Sequence, residues 1–162
     1  MPTWSEICAD PSLRDLPYKI ETNRFGNIMM RPVKGWHGDR QFEILKIISQ
    51  LLPDGRPIPE PPIQTADGVK VADVGWFTMD RLRPIRRATV YPIAPQICVE
   101  VLSGSNSRLE MLGKMNLYFD AGASEVWLCG EEGEMEFFTP ESPEPIEASH
   151  LCPGFPSQIE LD

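Results

Sequence analysis

The chain has 162 residues, of which 41% are hydrophobic and 24% charged. That is enough for one domain with a buried core, and no apolar run approaches the ~20 residues a membrane-spanning helix needs. A net charge of −9 argues against a general nucleic-acid binder with a broad basic face, but not against an enzyme that touches nucleic acid through one local patch.

The start, Met-Pro-Thr-Trp-Ser-Glu, has no basic region followed by an apolar core, so no secretory signal is expected and the chain is read as cytoplasmic. The cysteines, Cys8, Cys98, Cys129 and Cys152, form no Cys-x-x-Cys pair. Structural zinc and disulfides are therefore not expected, and Cys98 and Cys129 read as small core residues.

In chain order, residues 1–17 read as an N-terminal arm with a short helix over Trp4–Ala9. Tyr18–Thr22 and Asn27–Val33 read as a β-hairpin around an Asn23–Gly26 turn. Lys34–Gly38 reads as a loop carrying Trp36 and His37. Asp39 opens an amphipathic helix to about Leu52, with Leu45, Ile48 and Leu52 at helical spacing and Phe42, Ile44 and Leu51 widening the stripe. The prolines at 57, 59, 61 and 62 allow only an edge strand or an extended loop. Val69–Phe77 reads as one central strand, Asp80–Arg87 as a basic connection, and Pro95–Ser103 as a buried strand. Ser107-Arg108-Leu109-Glu110 fits a capping box opening a helix whose stripe is Leu109, Leu112, Met115 and Phe119, ended by Gly122. Glu125–Cys129 and Glu134–Thr139 form a second hairpin. Residues 140–149 read as a solvated Pro/Glu-rich linker, and 159–162 as one short edge strand. The expected fold is α/β (α+β): one domain over 1–162, a mixed sheet flanked by helices and decorated by β-hairpins.

Asp73 and Glu100 each lie inside an apolar strand-like run, where a carboxylate is costly to bury unless paired or bound to metal. They read either as ligands for a hard cation such as magnesium or manganese, or as acids bonded to backbone donors or an arginine. Lys114 reads as a charge-stabilising lysine or as a surface partner of Glu110 four residues before it. His37 reads as a phosphate- or proton-handling group or as an exposed loop residue. Arg81, Arg83, Arg86 and Arg87 lie within one short stretch and read as a backbone-phosphate contact or as a solvated connection. No phosphate-cradling glycine loop, Gly-x-Ser-x-Gly or Cys–His nucleophile signature is present.

Four stretches in order carry a resemblance: Tyr-Lys-Ile-Glu-Thr-Asn-Arg-Phe-Gly-Asn-Ile-Met-Met-Arg-Pro followed by His37; Val-Ala-Asp-Val-Gly-Trp-Phe-Thr-Met-Asp-Arg-Leu; Ala-Pro-Gln-Ile-Cys-Val-Glu-Val-Leu-Ser-Gly-Ser-Asn-Ser; and Leu-Gly-Lys-Met-Asn-Leu-Tyr-Phe-Asp-Ala-Gly-Ala-Ser-Glu-Val-Trp-Leu. Over roughly Tyr18–Thr139 the chain resembles the Uma-type family of restriction-endonuclease-like proteins, within the PD-(D/E)XK nuclease superfamily. The resemblance implies a restriction endonuclease-like fold and a magnesium- or manganese-dependent endonuclease that hydrolyses DNA phosphodiester bonds. It implies that Asp73 and Glu100 are metal ligands, that Lys114 is the catalytic lysine, and that Glu21 and His37 assist. In the superfamily the lysine usually sits two residues after the glutamate; here that position is Leu102. Ala72, Gly104, Asn106 and Cys129-Gly130-Glu131 also depart from the family pattern. The rival expectation is a catalytically silent protein on a nuclease fold that binds or self-associates. A homodimer is expected from the exposed hairpin edges and the apolar tail.

Overall fold

A computed structural model describes residues 1–104 and 106–160. The N-terminal arm forms α1 (Trp4–Ala9), opened by a capping box between Thr3 and Glu6. β1 (Tyr18–Thr22) and β2 (Ile28–Pro32) form the expected antiparallel hairpin. α2 (Gly35–Leu51) starts a turn before Asp39, which places Trp36 and His37 in its first turn and not in a loop. Gly35 and Gly38 disguise this start, which has no side-chain cap. It is held instead by the Lys34 carbonyl, which accepts from the His37 and Gly38 N–H groups, and by the Arg40 guanidinium stacked 4.9 Å from the Trp36 ring.

The proline-rich stretch supplies β3 (Gly55–Pro59) and β4 (Pro62–Thr65). The run read as one strand over Val69–Phe77 is two strands in different sheets. β5 (Gly68–Val71) pairs with β4, whereas β6 (Val74–Thr78) lies between β3 and β7 (Ile97–Val101). The chain crosses between the sheets at Ala72-Asp73. There the Asp73 N–H donates to Val99 O (2.9 Å) and the Asp73 carbonyl accepts from Glu60 N (3.1 Å). Hydropathy cannot show this break, because both halves are equally buried. The basic connection after β6 coils into α3 (Met79–Leu82) and a short 3-10 turn.

α4 (Arg108–Asp120) carries the chain from β7 to β8 (Glu125–Cys129), which is parallel to β7; β9 (Met135–Phe138) closes the sheet antiparallel to β8. The five-stranded order is β3-β6-β7-β8-β9, a mixed sheet with a helix on each face. Strand alternation divides β7. Ile97, Val99 and Val101 pack with Ile44 and Ile48 of α2, whereas Cys98 belongs to the core formed with Met111, Met115 and Tyr118 of α4. Glu100 therefore points to the α4 side. The buried face of α4 is Met111, Met115 and Tyr118, and Leu109, predicted to be in the stripe, is 80% exposed. The helix is rotated because Lys114 and Tyr118 must also turn inward to serve buried acids, a demand that an apolar count ignores.

The segment predicted to be solvated linker is largely exposed over 140–148 but is tied to the sheet at Ile146 and Ser149, and the chain after it packs. Ile146 bridges to Phe137, Ser149 is buried, and Cys152, Phe155 and Ile159 enter the core beneath α2. Its anchor is the buried Glu125 carboxylate, which accepts from Trp127 Nε1 (2.8 Å), Ser149 Oγ (2.6 Å), His150 N (2.7 Å) and Leu151 N (3.0 Å). The expected strand over 159–162 lies partly outside the described residues; a bridge joins Glu134 to Gln158. Among the described residues no helix is long and apolar enough to cross a membrane.

Candidate active site

Three structural accidents of the chain bring the acids together. Asp73 sits at the crossing from β5 to β6, Glu100 near the end of β7, and Glu21 on β1, whose hairpin packs against β5. All three are buried, and each has a donor. Asp73 Oδ2 accepts from Val101 N (2.6 Å) and Glu21 Oε2 from Val71 N (2.6 Å). Glu100 Oε1 accepts from Tyr118 Oη (2.6 Å). Strong donors of this kind are what permits buried carboxylates.

Two lysines complete the cluster. Lys114 Nζ lies 2.9 Å from Glu21 Oε2 and 3.0 Å from Glu100 Oε1, so the candidate catalytic lysine reaches the acids from α4. Its partner is not Glu110, which pairs instead with Arg31 of β2. Lys19 Nζ lies 3.1 Å from Asp73 Oδ1 and 3.8 Å from Glu100 Oε2. From the α2 side, His37 Nε2 is 3.0 Å from Val101 O and 3.4 Å from Asp73 Oδ2.

Burial and these contacts drive the acids' pKa values in different directions. Burial alone would raise the Asp73 carboxyl, but the Lys19 ammonium and the His37 hydrogen bond hold it well below the usual range. Burial likewise opposes ionisation of Glu21, yet Lys114 and Lys19 pull it down. For Glu100 burial wins over both lysines, and its carboxyl is pushed up. Burial penalises the Lys19 ammonium, but Glu100, Asp73 and Glu21 more than offset this and raise its pKa. The hydrogen bond to Asp73 raises His37, against the opposing effect of burial. Neighbouring carboxylates with pKa values driven apart are a mark of acid–base sites.

Asp73, Glu100, Lys114, Lys19 and His37 all line one cavity of about 310 Å³, together with the side chains of Arg31 and Lys34. Glu21 faces a second opening on the other side of Lys114. The cavity wall thus concentrates Lys19, Arg31, Lys34, His37 and Lys114 around Asp73, Glu100 and Glu110. The arginine-rich connection does not contribute to that wall. Arg81 Nη1 donates to Ala94 O and Gly122 O, both at 2.9 Å, and so ties loops together. Arg83 pairs with Asp80, and Arg86 and Arg87 are exposed elsewhere. Lys19 and Tyr118 are the site residues that sequence reasoning missed. Both carried a signal: Lys19 is two residues before Glu21 in a strand, hence on the same face, and Tyr118 is one helical turn after Lys114.

Residues 11–162 match the Uma2 family, described as putative restriction endonuclease. The chain belongs to that family. It is also similar in fold to the crystal structure of a putative nuclease belonging to DUF820 from Anabaena variabilis, with a TM-score of 0.70 and 21% identity, covering 88% of this chain and 82% of that one. No curated protein matches. The Uma2 match contains every residue of the cluster, and only the first ten residues, with α1, precede it.

Proposed function

We propose that the chain hydrolyses phosphodiester bonds of DNA in the cleft between α2, α4 and the β1–β2 hairpin, using magnesium or manganese. The observation that carries this reading is the convergence of Asp73, Glu100 and Lys114 on one cavity from three separate elements. Membership of the Uma2 family agrees with it.

The donor chemistry fits a hard cation. Asp73 and Glu100 already direct oxygens at a shared positive charge, the Lys19 ammonium. Among the described residues no group of three or more His, Cys, Asp or Glu side chains is arranged to hold a metal. A pair of carboxylates with water in the remaining positions is nevertheless the usual provision for magnesium. Asp73 and Glu100 are the residues that would hold the ion. Once bound, it would polarise a phosphoryl oxygen and make a coordinated water more acidic.

The protein groups supply the rest. Lys114 is ion-paired to Glu21 and Glu100 and lines the cavity, where its ammonium can meet a phosphoryl oxygen or the attacking water. Tyr118 fixes the rotamer of Glu100 and acts as a positioning residue. His37, whose pKa is raised by its hydrogen bond to Asp73, offers a ring N–H donor beside the cavity. Arg31 and Lys34 are the candidate contacts for the substrate backbone.

The test is cleavage of plasmid and linear DNA by purified protein with magnesium or manganese. Asp73→Asn and Glu100→Gln are expected to abolish cleavage while retaining the fold. Wild-type rates in both variants would sink the proposal. A silent binding protein on the same fold is the second reading, favoured by one observation: Lys19 already neutralises the two carboxylates.

A further inference from the structure

The two acids assigned to the metal share a cation before any metal arrives. Lys19 reaches from β1 with its ammonium 3.1 Å from Asp73 Oδ1 and 3.8 Å from Glu100 Oε2, and its side chain is only 12% exposed. We propose that Lys19 is the built-in occupant of the divalent-cation position. Its ammonium neutralises Asp73 and Glu100 in the metal-free protein and swings away when magnesium or manganese enters. This rests on the metal-dependent reading above.

Three observations lead there. First, the cluster needs the charge. Lys114 is engaged by Glu21 and Glu100, so without Lys19 the buried Asp73 would face Glu100 with only His37 and a backbone N–H as compensation. Second, the two cations exclude each other. A magnesium ion sits ~2.1 Å from a ligating carboxylate oxygen, and an ammonium on the same pair of oxygens would be held against it at close range in a poorly screened interior. Third, there is somewhere for Lys19 to go. It also lines an open cavity of about 560 Å³ whose wall includes Glu60. The Glu60 N–H is bonded to the Asp73 carbonyl, so the Glu60 backbone is held next to the first site and its carboxylate is within the chain's reach of the same cavity. The long lysine stem can pass between the two by rotation about its own bonds, with no change in the sheet. A compact ammonium on a flexible stem suits such an exchange; a planar guanidinium locked to both carboxylates would not.

Metal affinity is then set by competition with an internal cation, and Lys19 tunes it without being a ligand. Calorimetric titration of manganese and magnesium into the full chain, without nucleic acid, tests this on wild type, Lys19→Met and Lys19→Gln. Both variants are expected to bind at least ~tenfold more tightly than wild type, because a unit charge has left the immediate site. They should also gain more thermal stability from the metal than wild type does. A measurement on the unaltered chain guards against a variant that does not fold without metal: the 13Cε resonance of Lys19 should shift as magnesium is added. Equal or weaker binding by the folded variants overturns the proposal and leaves the metal site standing, as does a Lys19 resonance insensitive to magnesium that is demonstrably bound. Absence of binding to wild type and variants alike overturns both this proposal and the metal-dependent reading.

Discussion

Removing Asp73 separates two effects that a cleavage assay alone would merge. Its carboxylate accepts from Val101 N at 2.6 Å and from Lys19 Nζ at 3.1 Å, and it lies 3.4 Å from His37 Nε2. Asp73→Ala leaves a backbone N–H without its acceptor and the half-buried Lys19 and His37 without their nearest carboxylate. Breaking a buried ion pair costs ~3–5 kcal/mol, and each hydrogen bond to a charged group contributes ~1.5–3 kcal/mol. Glu100, 3.8 Å from Lys19, offsets part of this, so ~3–5 kcal/mol is the expected total. For a chain of this size that corresponds to a melting point lower by ~6–20 °C. Asp73→Asn keeps the shape and an acceptor for Val101 N–H, and is expected to lose ~1–3 kcal/mol. Urea unfolding at fixed ionic strength gives both values, and cleavage is then compared only between folded samples. An Asp73→Ala protein within ~1 kcal/mol of wild type would refute the burial and partnership described for this residue. Loss of cleavage in Asp73→Ala alone, with Asp73→Asn fully active, would show that the alanine had acted through the fold.

The direction of the His37 shift makes a pH prediction. Its folded-state pKa is raised, so its stabilising contribution is full below the unfolded value of ~6.5 and is lost as pH rises through the folded value. Wild type should therefore exceed His37→Gln in stability most at mildly acid pH, and the gap measured by urea unfolding should close toward alkaline pH; a gap that widens would contradict the contact with Asp73. For substrate contacts, Arg31→Ala and Lys34→Ala are each expected to weaken DNA binding and reduce the salt slope by about one. Arg86→Ala and Arg87→Ala, away from the cavity, should leave that slope unchanged, and fluorescence anisotropy over a salt series distinguishes the two pairs. Glu125→Ala leaves four donors without their acceptor and is expected to cost ~3–5 kcal/mol. Limited proteolysis should then cut within 140–160 before the rest of the chain; an intact tail under those conditions would show that the apolar contacts of Phe155 and Ile159 hold it alone.

Local pattern was enough for the hairpin at Tyr18–Pro32, the α4 start at Ser107, and the strands at 97–101 and 125–129. These features depend on turn residues, caps and period-two or helical spacing, which act over a few neighbours. The same kind of signal marked Asp73 and Glu100, because charge inside an apolar run stands out in one dimension. Long-range geometry decided the rest. The break at Ala72-Asp73 is invisible to hydropathy, since β5 and β6 are equally buried though in separate sheets. The rotation of α4 follows from acids on β1 and β7 that need Lys114 and Tyr118 as donors. The tail packs because Glu125 gathers donors from 149–151, a pairing no composition count of a proline- and glutamate-rich segment would reveal. The arginine cluster looked like the phosphate contact because its charge is concentrated along the chain. The folded protein instead gathers Lys19, Arg31, Lys34, His37 and Lys114 around the acids. The sequence by itself determined which groups were too polar for their surroundings. Only the tertiary structure decided which charges answer them, because Coulombic pairing depends on distance in space and residues far apart in the chain meet only once it has folded.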